Sequence, residues 1–178
     1  NQVSIRSNDT IFPYRANSYV LYLCGWSEPE SIFTAKFDNG IWQTTLFVRP
    51  RDTKAEIWEG RRVGPEGALQ GWPIHNSLPI NDAEEYISKS IESGLKPSII
   101  MGIDSKIDDI ILGSEMSDIP DPSTLLDVMR TVKSEAEISV MIEASEIAST
   151  AHVKAMRASH PGIGEWQIQS VIEGHFID

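Results

Sequence analysis

Residues 31–48 read Ser31-Ile32-Phe33-Thr34-Ala35-Lys36-Phe37-Asp38-Asn39-Gly40-Ile41-Trp42-Gln43-Thr44-Thr45-Leu46-Phe47-Val48, and the fold class follows from them. Two runs rich in β-branched and aromatic residues flank Asp38-Asn39-Gly40. Asn-Gly supplies the positive φ that a tight hairpin turn demands, so the stretch predicts two antiparallel strands over 31–37 and 41–48. Upstream, residues 19–26 are aromatic and aliphatic with no polar alternation. That pattern predicts a strand covered on both faces, ended by Gly25 and Pro29. Together the three runs predict a meander, preceded by a polar stretch over residues 1–18 that contains Pro13.

The hairpin runs directly into Arg49-Pro50-Arg51-Asp52-Thr53-Lys54-Ala55-Glu56-Ile57-Trp58-Glu59-Gly60-Arg61-Arg62-Val63-Gly64. Four arginines gather round one tryptophan in a chain whose net charge is -11. Two readings stand. In one, the arginines pair with Asp52, Glu56 and Glu59 and only hold a loop in shape. In the other, Trp58 and its arginines form a subunit interface or the rim of a peptide-binding cleft. An indole offers a large rigid apolar face, and guanidinium groups grip carboxylates in bidentate fashion.

Beyond this stretch the pattern turns helical. Pro65 opens a short helix from Gly64. Asn81 and Glu84 have the spacing of a capping box, Tyr86, Ile87, Ile91 and Leu95 follow with helical spacing, and Gly94 closes the element. Residues 98–101 read as a buried strand, and 105–112 as a helix carrying Ile107, Ile110 and Ile111. A hairpin followed by alternating helix and strand implies an α/β fold, a mixed sheet flanked by helices. Residues 113–122, with Pro120 and Pro122, read as a connector. A helix over 123–130 precedes a second capping box, Ser134-Glu135-Ala136-Glu137, which opens a long helix. Its inner stripe is expected at Ile138, Met141, Ile142, Ser145, Ala148, His152, Ala155 and Met156. Pro161-Gly162 breaks that helix, and Trp166, Ile168, Val171, Ile172 and Phe176 predict one more. Two such helices with nothing after them cannot bury their apolar faces unaided, so the tail reads as the opening of a second domain.

Composition narrows the functions. A chain of 178 residues, 40% hydrophobic and 23% charged, is ordinary for one domain, or one domain with a piece of another. Its acidity disfavours nucleic acid and anionic membranes as partners. No apolar run approaches the roughly 18–20 residues that cross a bilayer. Cys24 is the one cysteine; it reads as a small buried hydrophobe and points to a reducing compartment, the cytoplasm. His75, His152, His160 and His175 form no i, i+4 pair of metal-ligand type, and Glu84-Glu85 and Asp108-Asp109 are adjacent residues that diverge on a helix. No Gly-x-Ser-x-Gly elbow is present, and residues 60–67 lack dinucleotide spacing and a phosphate-loop lysine. The residues alone supply no self-sufficient catalytic apparatus.

Several blocks nevertheless resemble a known family. Tyr14-Arg15-Ala16-Asn17-Ser18, Tyr22-Leu23-Cys24-Gly25-Trp26-Ser27-Glu28-Pro29-Glu30, Leu46-Phe47-Val48-Arg49-Pro50-Arg51-Asp52 and Glu56-Ile57-Trp58-Glu59-Gly60-Arg61-Arg62 resemble the N-terminal domain of Xaa-Pro aminopeptidase (aminopeptidase P), with prolidase and creatinase as cousins. Residues 130–138, and then Ala151-His152, Ala155-Met156-Arg157 and Pro161-Gly162-Ile163-Gly164-Glu165, resemble the opening helices of its pita-bread catalytic domain. The Trp58 block favours aminopeptidase P over prolidase.

The resemblance implies a ribonuclease H-like N-terminal domain over 1–127, with its first helix and strand expected before Asn1, and a truncated catalytic domain from 128 to 178. It implies a whole protein that cleaves the bond between an N-terminal residue and a following proline, using two manganese ions whose five ligands are expected beyond Asp178. The substrate would be a peptide with proline second, and the assembly a homo-oligomer, dimer or tetramer. In this family the N-terminal domain mediates assembly and its loops approach the active-site mouth. Trp58 is the residue carried over to that role, with Arg61 and Arg62 as its support; Arg15, Asn17, Glu28 and Pro29 are expected to build the sheet ends that hold its loop. The segment itself is expected to hold no metal and show no activity. A prolidase segment, or a non-catalytic binding or assembly module, are the alternatives.

Overall fold

The computed structural model describes residues 3–8, 10–114, 116 and 118–178, which fall into two compact units, 1–127 and 128–178. In the first unit, β1 (Ile5–Ser7) and β2 (Thr10–Ile11) form a small exposed antiparallel pair. Next come α1 (Ser18–Cys24), β3 (Ile32–Asp38), β4 (Ile41–Val48), the single turn α2 (Glu56–Glu59) and α3 (Gly64–Gly71). Then β5 (Asn76–Pro79) leads through a 3₁₀ turn into α4 (Ala83–Glu92), followed by α5 (Ser105–Leu112); α6 (Ser123–Thr131) runs across the boundary between the units. The second unit holds α7 (Glu135–Ala158) and α8 (Glu165–Ile177).

The expected hairpin is present: β3 and β4 pair antiparallel, with Asp38 opposite Ile41, and Asn39 and Gly40 both take positive φ in the turn. The third strand of the sheet is β5, which pairs parallel to β4 with Phe47 opposite Leu78. The sheet is therefore mixed, in the order β3-β4-β5, and not a meander. A parallel neighbour needs a crossover, and α2 and α3 supply it.

Residues 19–26 are not a strand. Asn17 caps α1, its Oδ1 accepting from the Tyr19 backbone N–H at 2.8 Å. Gly25, with φ of 71° and ψ of 14°, ends the helix in the left-handed conformation and donates to Leu21 O. A short apolar run is ambiguous between helix and strand, and here the two caps decide it.

Period-two alternation along β4 sorts the core into two faces. Leu46 and Val48 pack with Cys24, Trp26 and Ala68, so α1 and α3 lie on that side; Trp26 and Trp72 meet edge to face at 4.9 Å. Phe47 points the other way, edge to face with Tyr86 of α4 at 5.2 Å. With both faces covered, the second half of β4 from Thr45 to Val48 is buried. Helices on a mixed sheet make this an α/β fold.

Two further expectations fail in the first unit. Residues 98–101 form no strand and pair with neither outer strand of the sheet; Ile99 N donates to Pro120 O instead. Asn81 makes no capping box: it lies in the 3₁₀ turn, and Asp82 at the N-cap of α4 makes no side-chain cap bond. Asp104 does cap α5, accepting from Lys106 N and Ile107 N. The expected connector shows no regular structure among its described residues; residues 115 and 117 lie outside them.

In the second unit Ser134 and Glu137 make the capping box foreseen for α7, with Ser134 N donating to Glu137 Oε2 at 2.8 Å and Glu137 N donating to Ser134 Oγ at 3.3 Å. The predicted inner stripe is only partly internal. Ala151 and Ala155 are the buried residues of α7, where small side chains let α8 approach closely, whereas His152, Ile138, Met141, Ile142 and Met156 are exposed. Among the described residues no helix is long and apolar enough to cross a membrane.

Candidate functional site

The crossover between β4 and β5 carries the arginine stretch past the carboxyl end of β4, the place where open α/β sheets hold their ligands. Asp52 starts the turn. Its Oδ1 accepts from Lys54 N at 2.9 Å and from Ala55 N at 3.2 Å, and its backbone O accepts from Glu56 N. The turn ends at Gly60, whose φ of 86° and ψ of 169° suit glycine alone. None of the four residues of α2 is buried, and Trp58 is 89% exposed. Apolar burial therefore does not hold α2 in place.

Ion pairs do. Arg51 grips Glu56 through two bonds, Nε to Oε1 at 2.7 Å and Nη2 to Oε2 at 2.9 Å. Glu59 Oε2 accepts from Arg49 Nη1 at 3.1 Å and from Arg62 Nη2 at 2.7 Å, and Arg62 Nη1 also reaches Pro50 O at 3.3 Å. The Arg51 bond holds the Glu56 carboxyl below its usual range, and the Arg62 bond does the same for Glu59. Glu59 in turn raises the Arg62 guanidinium. Gly64 is required next to this network: with φ of 71°, it leaves room for the Arg51 stem, and a Cβ there would stand 2.9 Å from Arg51 Cγ.

This geometry separates the two readings of the arginines. Arg49, Arg51 and Arg62 are engaged with Glu56 and Glu59 and hold the turn; Asp52 caps it and forms no salt bridge with them. Arg61 is exposed and makes no hydrogen bond or ion pair among the described residues. Trp58 and Arg61 thus face solvent, while the Arg62 side chain is largely buried and tied to Glu59 and Pro50.

Of the residues expected to hold the loop, Glu28 does so directly: its Oε1 accepts from Val63 N at 3.0 Å, and its backbone O accepts from Tyr14 Oη at 3.3 Å. Asn17 caps α1 instead, and Arg15 bonds locally to Ser18 Oγ and Ala16 O. Glu59, expected only as one of three acidic partners of the arginines, holds two of them at once. Its signal was an acidic side chain one position after the tryptophan and three before an arginine.

The remaining chemical groups serve local roles. His75 Nδ1 accepts from Thr44 N at 3.1 Å, His175 Nδ1 meets Lys154 Nζ, and His160 Nδ1 meets Pro161 O. Glu84 pairs with Lys106 and Glu85 with Lys89. Among the described residues no group of three or more His, Cys, Asp and Glu side chains is placed to hold a metal ion. Cys24 is buried and donates to Val20 O, and burial pushes its thiol pKa up.

Known proteins match nearly all of this chain. Residues 1–99 match the family "Aminopeptidase P, N-terminal domain". The Xaa-Pro aminopeptidase of Haemophilus influenzae is 31% identical over 173 residues, which cover 96% of this chain and 40% of the relative. That of Escherichia coli is 31% identical across 96% of this chain and 42% of its own length. Proline aminopeptidase P II from Yersinia pestis superposes with a TM-score of 0.84 at 31% identity, covering 99% of this chain and 44% of that structure. Zinc-substituted E. coli aminopeptidase P in complex with product gives 0.86 at 29% identity, covering 99% and 43%. The chain spans about two fifths of the curated relatives it matches. With a family match over more than half its residues, the chain belongs to the aminopeptidase P family, and residues 1–99 correspond to that family's N-terminal domain.

Proposed function

We propose that this chain is the N-terminal segment of a manganese-dependent Xaa-Pro aminopeptidase, which removes the N-terminal residue that precedes proline. The observation that carries the reading is the match over 96% of the chain to curated enzymes of that name. The residues present do not form a manganese site, since no ligand cluster exists among the described ones. In this reading the two ions sit on residues outside the segment, as the opening helices of a pita-bread domain over 128–178 also imply. The description of a relative as zinc-substituted supports a metal-bearing enzyme.

The segment's own part is shape and contact. Trp58 and Arg61 present an apolar face and a guanidinium at the carboxyl end of β4, where they border the active-site mouth and limit how a peptide lies in it. Arg62 holds them there. The same segment mediates homo-oligomer assembly, as dimer or tetramer. A single buried thiol supports a cytoplasmic setting.

The test is an activity assay on two proteins. The 178-residue polypeptide with added manganese should leave an Xaa-Pro-Xaa tripeptide intact, whereas the full-length enzyme should release its first residue and lose that activity to a chelator. Turnover by the purified segment would overturn the division of labour, and a full-length protein that cleaves only Xaa-Pro dipeptides would make it a prolidase.

A further inference from the structure

The turn that displays Trp58 has no apolar anchor, so the ion pairs beneath it decide where the indole goes. A four-residue helix is far too short to persist unaided in water. The Arg51–Glu56 pair braces its first residue from the outside, with the Arg51 side chain 49% exposed. The Glu59 pairs are different. Arg49 and Arg62 have side chains only 13% and 14% exposed, so each guanidinium is largely withdrawn from water. One carboxylate oxygen, Glu59 Oε2, serves both. Nε of each arginine is buried without a partner among the described residues, and apart from the Arg62 bond to Pro50 O, that shared oxygen is the acceptor both cations use. Arg49 directly follows β4, and Arg62 lies just ahead of α3, so Glu59 ties the turn to the end of β4 and to the approach to α3. Its neighbour Trp58 carries the side chain that projects outward.

We infer that Glu59 is the positioning residue for Trp58, a carboxylate strut between two sunken arginines that fixes where the exposed indole meets the peptide. This rests on the proposed role of Trp58 and deepens it. Glu59 touches no substrate; it acts by holding the turn. Replacing it with Gln keeps its volume but removes the charge that both guanidinium groups share, so the turn opens and the indole samples many positions.

Trp58→Ala, Glu59→Gln and the double variant in the full-length enzyme provide the test. Michaelis kinetics on an Xaa-Pro-Xaa tripeptide are paired with tryptic cleavage after Arg61 and Arg62, read by mass spectrometry. Glu59→Gln is expected to raise KM by about fivefold with kcat changed by less than about twofold, the pattern of lost binding without lost chemistry. It is also expected to speed cleavage by about tenfold, since cleavage follows local opening. The double variant should match Trp58→Ala alone, because a residue that acts through another adds nothing once that other is gone. Additive effects in the double variant, or unchanged cleavage and KM in Glu59→Gln, would overturn the assignment. A Trp58→Ala enzyme with wild-type kinetics would instead sink the proposed role of Trp58, and the cleavage rates would still decide whether Glu59 holds the turn. Should Glu59→Gln fold poorly, Arg49→Gln removes the opposite end of the strut and is expected to show the same split.

Discussion

Arg51 and Glu56 stand side by side in a fork-to-fork pair, 2.7 Å between Nε and Oε1 and 2.9 Å between Nη2 and Oε2, at the start of the turn that lifts Trp58 into solvent. The pair fixes two atoms on each side at once, so it sets a direction as well as a distance. Together with the Glu59 bonds, it lets a turn with no buried residue keep one shape.

Trp58→Ala separates function from folding. The indole is 89% exposed, so its removal is expected to change unfolding free energy by no more than about 0.5 kcal/mol. In the full-length enzyme kcat/KM should fall roughly tenfold or the oligomer should weaken, since large exposed aromatics concentrate contact energy. Denaturation curves, steady-state kinetics and sedimentation provide the check; wild-type kinetics with an intact oligomer would remove Trp58 from the site.

Phe47 and Phe37 make the opposite comparison on neighbouring strands. Phe47 is fully buried between the sheet and Tyr86, and Phe47→Ala is expected to cost about 3–5 kcal/mol. Phe37 is 57% exposed near the hairpin turn, and Phe37→Ala should stay within about 1 kcal/mol of the wild type. Urea unfolding of both variants measures the difference, and equal losses would contradict the placement of the core.

Gly60→Ala probes the backbone without touching a neighbour. An added Cβ meets nothing within 4 Å, so the whole effect comes from forcing alanine to a φ of 86°. The expected loss is about 1–3 kcal/mol, concentrated in the turn. Hydrogen exchange of residues 56–60 should rise in step with the fall in stability.

Acid should loosen the same turn. Glu56 and Glu59 are both held below the ordinary glutamate value of 4.5, chiefly by the Arg51 and Arg62 hydrogen bonds. Their folded pKa values lie below the unfolded ones, so their contribution is complete above 4.5 and is lost as pH falls through the folded values. Amide exchange over residues 56–59, corrected for intrinsic rates, should therefore lose protection on the acid side of that value. Glu56→Gln combined with Glu59→Gln should abolish the pH dependence; a persisting transition would assign it to other groups.

The exposed face of α7 should make the 178-residue polypeptide stick to itself. Ile138, Met141, Ile142 and Met156 lie open along it, and contiguous apolar surface of this kind promotes association. Light scattering should report species larger than a monomer, reduced by Ile142→Asp. A clean monomer at high concentration would contradict the expectation.

Much of this architecture was readable because its causes are local. Asn39-Gly40 closes the hairpin between adjacent segments, Pro65 opens α3, and Ser134 with Glu137 caps α7 within three residues. The failures lie where the deciding partner is distant or absent. Residues 19–24 carry a pattern that either state tolerates, and Asn17 and Gly25 tip it to helix. Residues 98–101 have the apolar run of a buried strand, yet the backbone partner of Ile99 N is the distant Pro120 O. β5 was missed because Asn76-Ser77-Leu78-Pro79 has little strand character of its own; its pairing comes from Thr45 to Val48, thirty-one residues away.

By itself, the order of residues determined the hairpin, most of the helices, the family and the cluster of four arginines round Trp58. Only the tertiary structure decided how those arginines divide, three pinned to Glu56 and Glu59 and Arg61 left facing solvent. It also decided that β5 lies parallel to β4. Turns and caps are settled by hydrogen bonds within a few residues, whereas strand order depends on distant segments, and each arginine has several nearby carboxylates among which only the folded path of the turn decides which comes within about 3 Å.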